Sequence, residues 1–147
     1  MKKKHLKVYA LIVWIFIIFI NSLLPGDVST AQSGFVTNII KGLLNLFNIR
    51  YDVTALSSLI RSLAHFIEFF ILGMLVMLNK TVLNTIYKRM SLIILIPLID
   101  EVIQIFVPNR AFEWFDITID LLGGLLGMLT LWFMTLLFKQ LEQRHHS

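Results

Sequence analysis

Residues 117–138 read ITIDLLGGLLGMLTLWFMTLLF and contain a single charged side chain, that of Asp120. About 20 predominantly apolar residues are enough for a helix to cross a bilayer, so this stretch is long enough. Gly123 and Gly127 lie four positions apart, and small residues at that spacing allow a second membrane helix to approach closely. The stretch therefore predicts a transmembrane helix that packs against another helix.

Three further stretches have the length and apolar content of membrane spans. They cover residues 8–24, 61–78 and 90–107. Pro97 falls inside the last of these, where neighbouring helices can satisfy the carbonyl group that it frees. Residues 8–24 follow a basic start and could instead form a cleaved signal peptide. We favour a retained helix, because the apolar core of a signal peptide is usually about 7–15 residues long.

Residues 34–49, which follow a polar loop at 27–33, show a different pattern. Apolar side chains recur there every three or four positions and polar ones occupy the opposite side, which predicts an amphipathic helix too polar to span. It could cover the bundle as a lid, but placement in the membrane interface is the simpler interpretation. The sequence thus predicts an all-α fold: one membrane domain over residues 1–147, with about four transmembrane helices and one amphipathic interfacial helix.

The overall composition agrees with a protein whose solvent is lipid. Of the 147 residues, 57% are apolar and 15% are charged, and the mean hydropathy is +0.80. A typical soluble domain has about 45–50% apolar and about 25% charged residues. The absence of cysteine excludes disulfides and thiol chemistry. The net charge is +4, and the basic residues lie beside apolar segments. We therefore expect membrane lipid, and not nucleic acid, as a partner.

The basic residues indicate how the chain crosses the membrane, because Lys and Arg collect in short cytoplasmic loops. Four spans would place both termini on the same side as the loop at 79–90, and these segments hold nine of the thirteen basic residues. We therefore predict a multi-pass protein with both termini cytoplasmic. Eight of the nine acids then fall on the outer side, namely Asp27, Asp52, Glu68, Asp100, Glu101, Glu113, Asp116 and Asp120.

Three of the predicted spans bring polar residues to this outer membrane level. Arg61, His65 and Glu68 share one helical face in the second span, at spacings of four and three. A charged side chain inside a span costs about 2.5–3.5 kcal/mol on insertion scales, so it should face the bundle interior and have a partner. The other members are Asp100, Glu101, Gln104, Arg110, Asp116 and Asp120. Because structural hydrogen bonds need not share one depth, the common depth predicts a single network or site.

The residue types in this network allow more than one chemistry. Neighbouring acids beside a histidine can share a proton and act in general acid–base catalysis. The candidate catalytic residues are His65, Glu68, Asp100 and Glu101, and the candidate substrate-binding residues are Arg61, Gln104, Arg110, Asp116 and Asp120. The same groups suit a hard divalent cation, but the spacing is not a metal motif and the arginines oppose it. We therefore predict no metal site, and no cofactor is identified.

Three motifs in these spans resemble those of the VanZ-like family of small bacterial membrane proteins. They are Arg61-x-x-x-His65-x-x-Glu68-Phe-Phe-Ile-Leu-Gly73, Asp100-Glu101-Val-Ile-Gln104-Ile-Phe-Val-Pro108-Asn109-Arg110 and Asp116-x-x-x-Asp120-x-x-Gly123. Family members commonly have Lys, Gly and Asn where this chain has Arg61, Asn109 and Asp120. The resemblance covers most of the chain and implies a place in the bacterial cytoplasmic membrane. The family is named for a member associated with teicoplanin resistance, which similarity of fold alone does not carry to this chain.

Three kinds of function remain open at this stage. The first is a site that acts on a cell-envelope lipid or related substrate at the outer leaflet, with Arg61 and Arg110 holding an anionic group such as phosphate. The second is a non-catalytic module that binds an envelope lipid or glycopeptide. The third, a proton- or ion-coupled transporter, is disfavoured because no acid lies in the cytoplasmic half of a predicted span. Enzymatic activity, the ligand and the oligomeric state do not follow from the sequence.

Overall fold

The computed structural model describes residues 2–145, and it describes side chains for residues 5–26 and 34–144. Five helices make up this part of the chain: α1 (Lys2–Ser22), α2 (Gly26–Leu46), α3 (Val53–Leu78), α4 (Ile86–Gln104) and α5 (Trp114–His145). No strand occurs among the described residues, so the all-helical fold is confirmed. The most extensive contact joins α3 to α5, while α1 packs on α3 and α4, and α2 packs on α3.

Three helices are long and apolar enough to cross a membrane, with windows at His5–Ser22, Val53–Leu78 and Trp114–Arg144. The predicted count of about four transmembrane helices is therefore not confirmed. Helix α4 lacks an apolar stretch of that length. Its 19 residues include Lys88 and Arg89 in the first turn and Asp100 and Glu101 in the last two turns. These charges lie toward the two ends of α4, which packs against α1, α3 and α5.

The ends of several helices differ from the prediction. Residues 27–33 were predicted to form a polar loop, but α2 begins at Gly26 and runs through them. Pro25 occupies the position before the helix, and no further Pro or Gly follows until Gly34, so no residue in that stretch interrupts the helix. The second predicted span also begins earlier than residue 61, because helix α3 begins at Val53. The predicted loop is thus wrong, and α3 extends eight residues ahead of the predicted start of the second span.

Asp52 explains the early start of α3. Its carboxylate accepts the backbone N–H groups of Thr54 and Ala55, which caps the helix N-terminus. The Thr54 hydroxyl also donates to this carboxylate, and that hydrogen bond holds the pKa of Asp52 below its ordinary value. This cap starts the helix directly at Val53, where the apolar stretch Val53–Leu78 also begins.

Glycines let α3 and α5 approach each other backbone to backbone. A Cβ atom at Gly127 would overlap the carbonyl oxygen of Phe70, and one at Gly73 would overlap the carbonyl oxygen of Gly124. The small-residue face predicted from Gly123 and Gly127 is therefore confirmed, and its partner is α3. Residue Gly73 adds a second small position on the facing helix, which explains why this contact is the most extensive in the bundle.

Helix α2 turns its apolar side away from the bundle. Phe35, Ile39, Leu43 and Phe47 are all at least half exposed, whereas Thr37 on the opposite side is buried. An apolar face that has no protein partner among the described residues suits the boundary between headgroups and acyl chains. The amphipathic helix is therefore present, and its placement in the membrane interface stays a prediction.

Candidate functional site

The α1–α2 turn and the α4–α5 turn contact each other at one end of the bundle, next to the candidate site. The turn Pro108-Asn109-Arg110 joins α4 to α5, and Asn109 adopts a left-handed backbone with φ 59°. Asn tolerates this conformation better than most residues, so the turn is kept without glycine. The Gly26 N–H donates to the Pro108 carbonyl oxygen at 3.1 Å, and a Cβ at Gly26 would overlap the Asn109 carbonyl oxygen. Backbone contact therefore holds the α1–α2 turn against the α4–α5 turn.

Arg61 of α3 pairs with acids at the start of α5. Its Nη2 lies 3.3 Å from Glu113 Oε1 and 3.9 Å from Asp116 Oδ2. The side chains of Arg61 and Glu113 are 41% and 44% exposed, so the surroundings of the protein screen this pair. Glu113 was not among the predicted site residues, although its position three residues before Asp116 was an available signal.

Glu101 contacts the segment that leads into α5. It is fully buried, and its Oε2 accepts the backbone N–H of Glu113 at 2.8 Å. Its Oε1 has no hydrogen-bond partner in the described part of the chain. The contact makes Glu101 a positioning group for Glu113, and through it for Arg61. This role adds to the acid–base role predicted for Glu101, which the geometry does not test.

His65, Asp100 and Asp120 converge from three different helices. The distance from His65 Nδ1 to Asp120 Oδ1 is 3.6 Å, and one nitrogen or oxygen from each of the three residues lies within 4.8 Å of the others. Asp100 also accepts a hydrogen bond from Gln104 Nε2 at 2.9 Å through Oδ2, and its backbone carbonyl accepts one from Ser22 Oγ at 3.0 Å. Residues far apart in sequence are thus neighbours here.

Glu68 connects this group to α1. Its Oε1 accepts a hydrogen bond from Asn21 Nδ2 at 2.9 Å, and its backbone carbonyl accepts one from the Trp14 indole N–H at 2.9 Å. Sequence reasoning did not include Asn21 or Ser22 among the site residues. Their available signal was a polar pair at the end of an apolar run, shortly before Pro25.

A cavity of about 360 Å³ lies beside this network and is lined by α1, α2, α3, the end of α4 and the α4–α5 turn. Its polar lining consists of Asn21, Ser22, Arg61, His65, Glu68, Asp100 and Arg110. Its apolar lining consists of Ile18, Val36, Ile60, Leu63, Ala64 and Ile67. Leu63 and Ile67 are about half exposed on the outer side of α3, so the apolar wall continues onto the surface of the bundle.

The predicted site residues divide into two groups around this cavity. Five line it directly, namely Arg61, His65, Glu68, Asp100 and Arg110. The other four, Glu101, Gln104, Asp116 and Asp120, are all buried behind it and contact the first group or the segment that carries it. The structure therefore brings all nine to one end of the bundle. Of the remaining predicted outer acids, Asp52 caps α3 and the side chain of Asp27 lies outside the described residues.

Comparison with known proteins gives one result that bears on identity. No curated protein and no solved structure matches the chain. A family model described as VanZ/LLP1 matches residues 7–138, which covers most of the sequence and every residue of the cavity lining and the buried network. This agrees with the resemblance of the three polar motifs and with the apolar helices that carry them. The chain therefore belongs to the VanZ/LLP1 family.

Proposed function

We propose that this membrane protein binds the anionic headgroup of a cell-envelope lipid in the cavity beside Arg110. The supporting observation is that a guanidinium at the polar end shares one cavity with an apolar wall that reaches the surface at Leu63 and Ile67. Phosphate oxygens accept paired N–H bonds from Arg, and acyl chains match exposed aliphatic side chains. A lipid carries both an anionic headgroup and acyl chains, so one molecule can contact the polar end and the apolar wall of the cavity.

Arg110 is the charge available to such a ligand. Arg61 is already paired with Glu113, whereas no ion pair joins Arg110 to an acid among the residues that the structure describes. A guanidinium in a partly desolvated cavity attracts an anion more strongly than one in bulk water, because the effective dielectric constant is lower there. The position of Arg110 therefore suits a phosphate group better than that of Arg61.

The other cavity residues restrict the kind of headgroup. Glu68 and Asp100 would repel a bare anion, but their oxygens can accept hydrogen bonds from hydroxyl or amine groups. A headgroup that joins phosphate to such donors meets both requirements. The volume of about 360 Å³ is at the lower end of the range of about 300–1,000 Å³ for small-molecule sites, so a lipid headgroup fits better than a whole glycopeptide.

A photo-crosslinking residue tests the proposed occupant in cell membranes. We expect p-benzoylphenylalanine at Leu63, on the cavity wall, to form lipid adducts several-fold more efficiently than the same residue at Val102. Val102 is a matched control, since it is about half exposed, lies near the same end of the bundle and does not line the cavity. Mass spectrometry of the purified adduct would identify the lipid, and equal labelling at both positions would count against the proposal.

We further propose that the cavity opens on the extracytoplasmic side, with both termini in the cytoplasm. The support is the charge pattern, since nine of thirteen basic residues lie in the terminal segments or the α3–α4 loop. The chain has no cysteine, so single cysteines can report the topology directly. In intact cells an impermeant maleimide should label Arg50→Cys, between α2 and α3, and should label Thr81→Cys only after the membrane is opened. The reverse pattern would invert the orientation.

A further inference from the structure

We propose that His65, Asp100 and Asp120 form a binding site for a divalent transition-metal ion of the Zn²⁺ or Mn²⁺ type. The three residues come from α3, α4 and α5, and one ligand-capable atom from each lies within 4.8 Å of the other two. An imidazole nitrogen together with two carboxylates is a donor set that such ions accept. The site goes beyond lipid binding and does not depend on it.

The distances fit a shared cation better than a direct contact. His65 Nδ1 and Asp120 Oδ1 are 3.6 Å apart, which is too long for a hydrogen bond. Bonds of about 2.0–2.2 Å to one tetrahedral ion place adjacent ligand atoms about 3.4 Å apart. The Asp100 carboxylate completes the set after a small side-chain movement, and Gln104 Nε2 already orients it by donating to Oδ2 at 2.9 Å.

Asp120 carries the strongest sign that something binds here. Its side chain is 0% exposed, and neither of its carboxylate oxygens has a hydrogen-bond partner in the described part of the chain. The same is true of His65 Nδ1, the atom that faces Asp120 Oδ1. Buried polar groups are nearly always partnered, so two facing groups without partners indicate a missing third group. A cation between them would satisfy both.

The surrounding charges also favour a cation. Glu68, Asp100, Glu101, Glu113, Asp116 and Asp120 lie at this end of the bundle, against the two guanidiniums of Arg61 and Arg110. Arg61 opposes a metal less than the sequence suggested, because it is paired with Glu113 and also lies 3.9 Å from Asp116. Arg110 is the one guanidinium whose charge acts on His65 without an ion pair of its own among the described residues, and six acids outweigh it. A divalent ion would lower the excess of negative charge in a segment that has little access to water.

The site has an open side. His65 and Asp100 both line the cavity, whereas Asp120 lies behind them and is fully buried. Three protein ligands leave a further coordination position on a Zn²⁺ ion, as in catalytic zinc sites. That position would point into the cavity, where an oxygen atom of water or of a bound headgroup could occupy it.

Metal content of the purified full-length protein tests this assignment. The protein would be isolated in detergent through a histidine-free tag, stripped with EDTA, loaded with Zn²⁺ or Mn²⁺ and dialysed. We expect about one ion per wild-type chain by elemental mass spectrometry, and at least about a tenfold weaker affinity for Asp120→Asn. Glu142→Gln removes an exposed acid at the far end of α5 and should bind as the wild type does.

Thermal unfolding gives a second measurement on the same samples. Added Zn²⁺ or Mn²⁺ should raise the Tm of the wild type and of Glu142→Gln, and should raise the Tm of Asp120→Asn by less at the same ion concentration. If Asp120→Asn does not yield monodisperse protein, His65→Asn replaces it with the same expectation. Absence of a bound ion in the wild type, or equal ion content and equal Tm shifts in all variants, would overturn the proposal.

Discussion

Replacing Gly127 by Ala is expected to reduce the amount of folded protein in the membrane severely, although Ala is the better helix former. In an open helical position the change from Gly to Ala stabilises by about 0.5–1 kcal/mol. At Gly127 the new methyl group would overlap the carbonyl oxygen of Phe70, which belongs to the backbone of α3 and cannot rotate away. The two helices must then separate, and overpacking of this kind costs about 1–3 kcal/mol or more.

Gly42 provides the matched control, because a Cβ atom there meets no other atom within 4 Å. We expect Gly42→Ala to keep the wild-type Tm or to raise it slightly, and Gly73→Ala to behave like Gly127→Ala, since it would meet the Gly124 carbonyl oxygen. The comparison would use membrane abundance and the Tm of the detergent-purified protein. Wild-type values for Gly127→Ala would show that α3 and α5 do not pack at this distance.

The features that the sequence predicted well are those that depend on spacing along one helix. Gly123 and Gly127 share a face of α5 by their separation alone, and the structure confirms that α3 packs there. The same reasoning put His65 and Asp120 at one membrane level on different helices, and they lie 3.6 Å apart. Helical periodicity fixes which residues share a face, and membrane depth fixes which of these can meet.

Contacts that depend on helix rotation or on turns could not be predicted in this way. The pairing of Arg61 with Glu113 depends on the path of the α4–α5 connection, which periodicity does not describe. The hydrogen bond from Asn21 to Glu68 depends on how α1 is rotated against α3. The predicted span over α4 is not confirmed for another reason, since its apolar middle is brief once the charges near its ends are counted.

Glu101 shows how the structure changes the interpretation of a predicted residue. Its carboxylate and its predicted membrane depth suggested a group for proton transfer. In the structure its Oε2 accepts the backbone N–H of Glu113, and the Glu113 side chain pairs with Arg61. Removal of the carboxylate would leave that partly buried N–H without its partner and would disturb the cavity edge. Loss of function at Glu101 would therefore not by itself demonstrate catalysis.

Arg110→Gln is expected to weaken the binding of an anionic lipid by about 10- to 100-fold, which corresponds to about 1.5–3 kcal/mol for hydrogen bonds to a charged group. Gln keeps a polar side chain and removes the charge, so the change tests the guanidinium itself. Arg110 makes no ion pair within 4.0 Å among the described residues, but its charge acts on the nearby acids Glu68, Asp100 and Asp116. The Tm of each variant is measured beside the binding assay, so that a loss of binding is read only from folded protein.

Native mass spectrometry of the detergent-purified protein measures the binding of anionic lipid most directly. It counts the phosphatidylglycerol molecules that each chain retains during stepwise delipidation. The matched control is Arg50→Gln, which removes an exposed arginine between α2 and α3 that does not line the cavity. If the cavity binds an anionic headgroup through Arg110, Arg110→Gln should retain at least tenfold less lipid than the wild type and Arg50→Gln. Retention by Arg110→Gln within twofold of both would contradict the account.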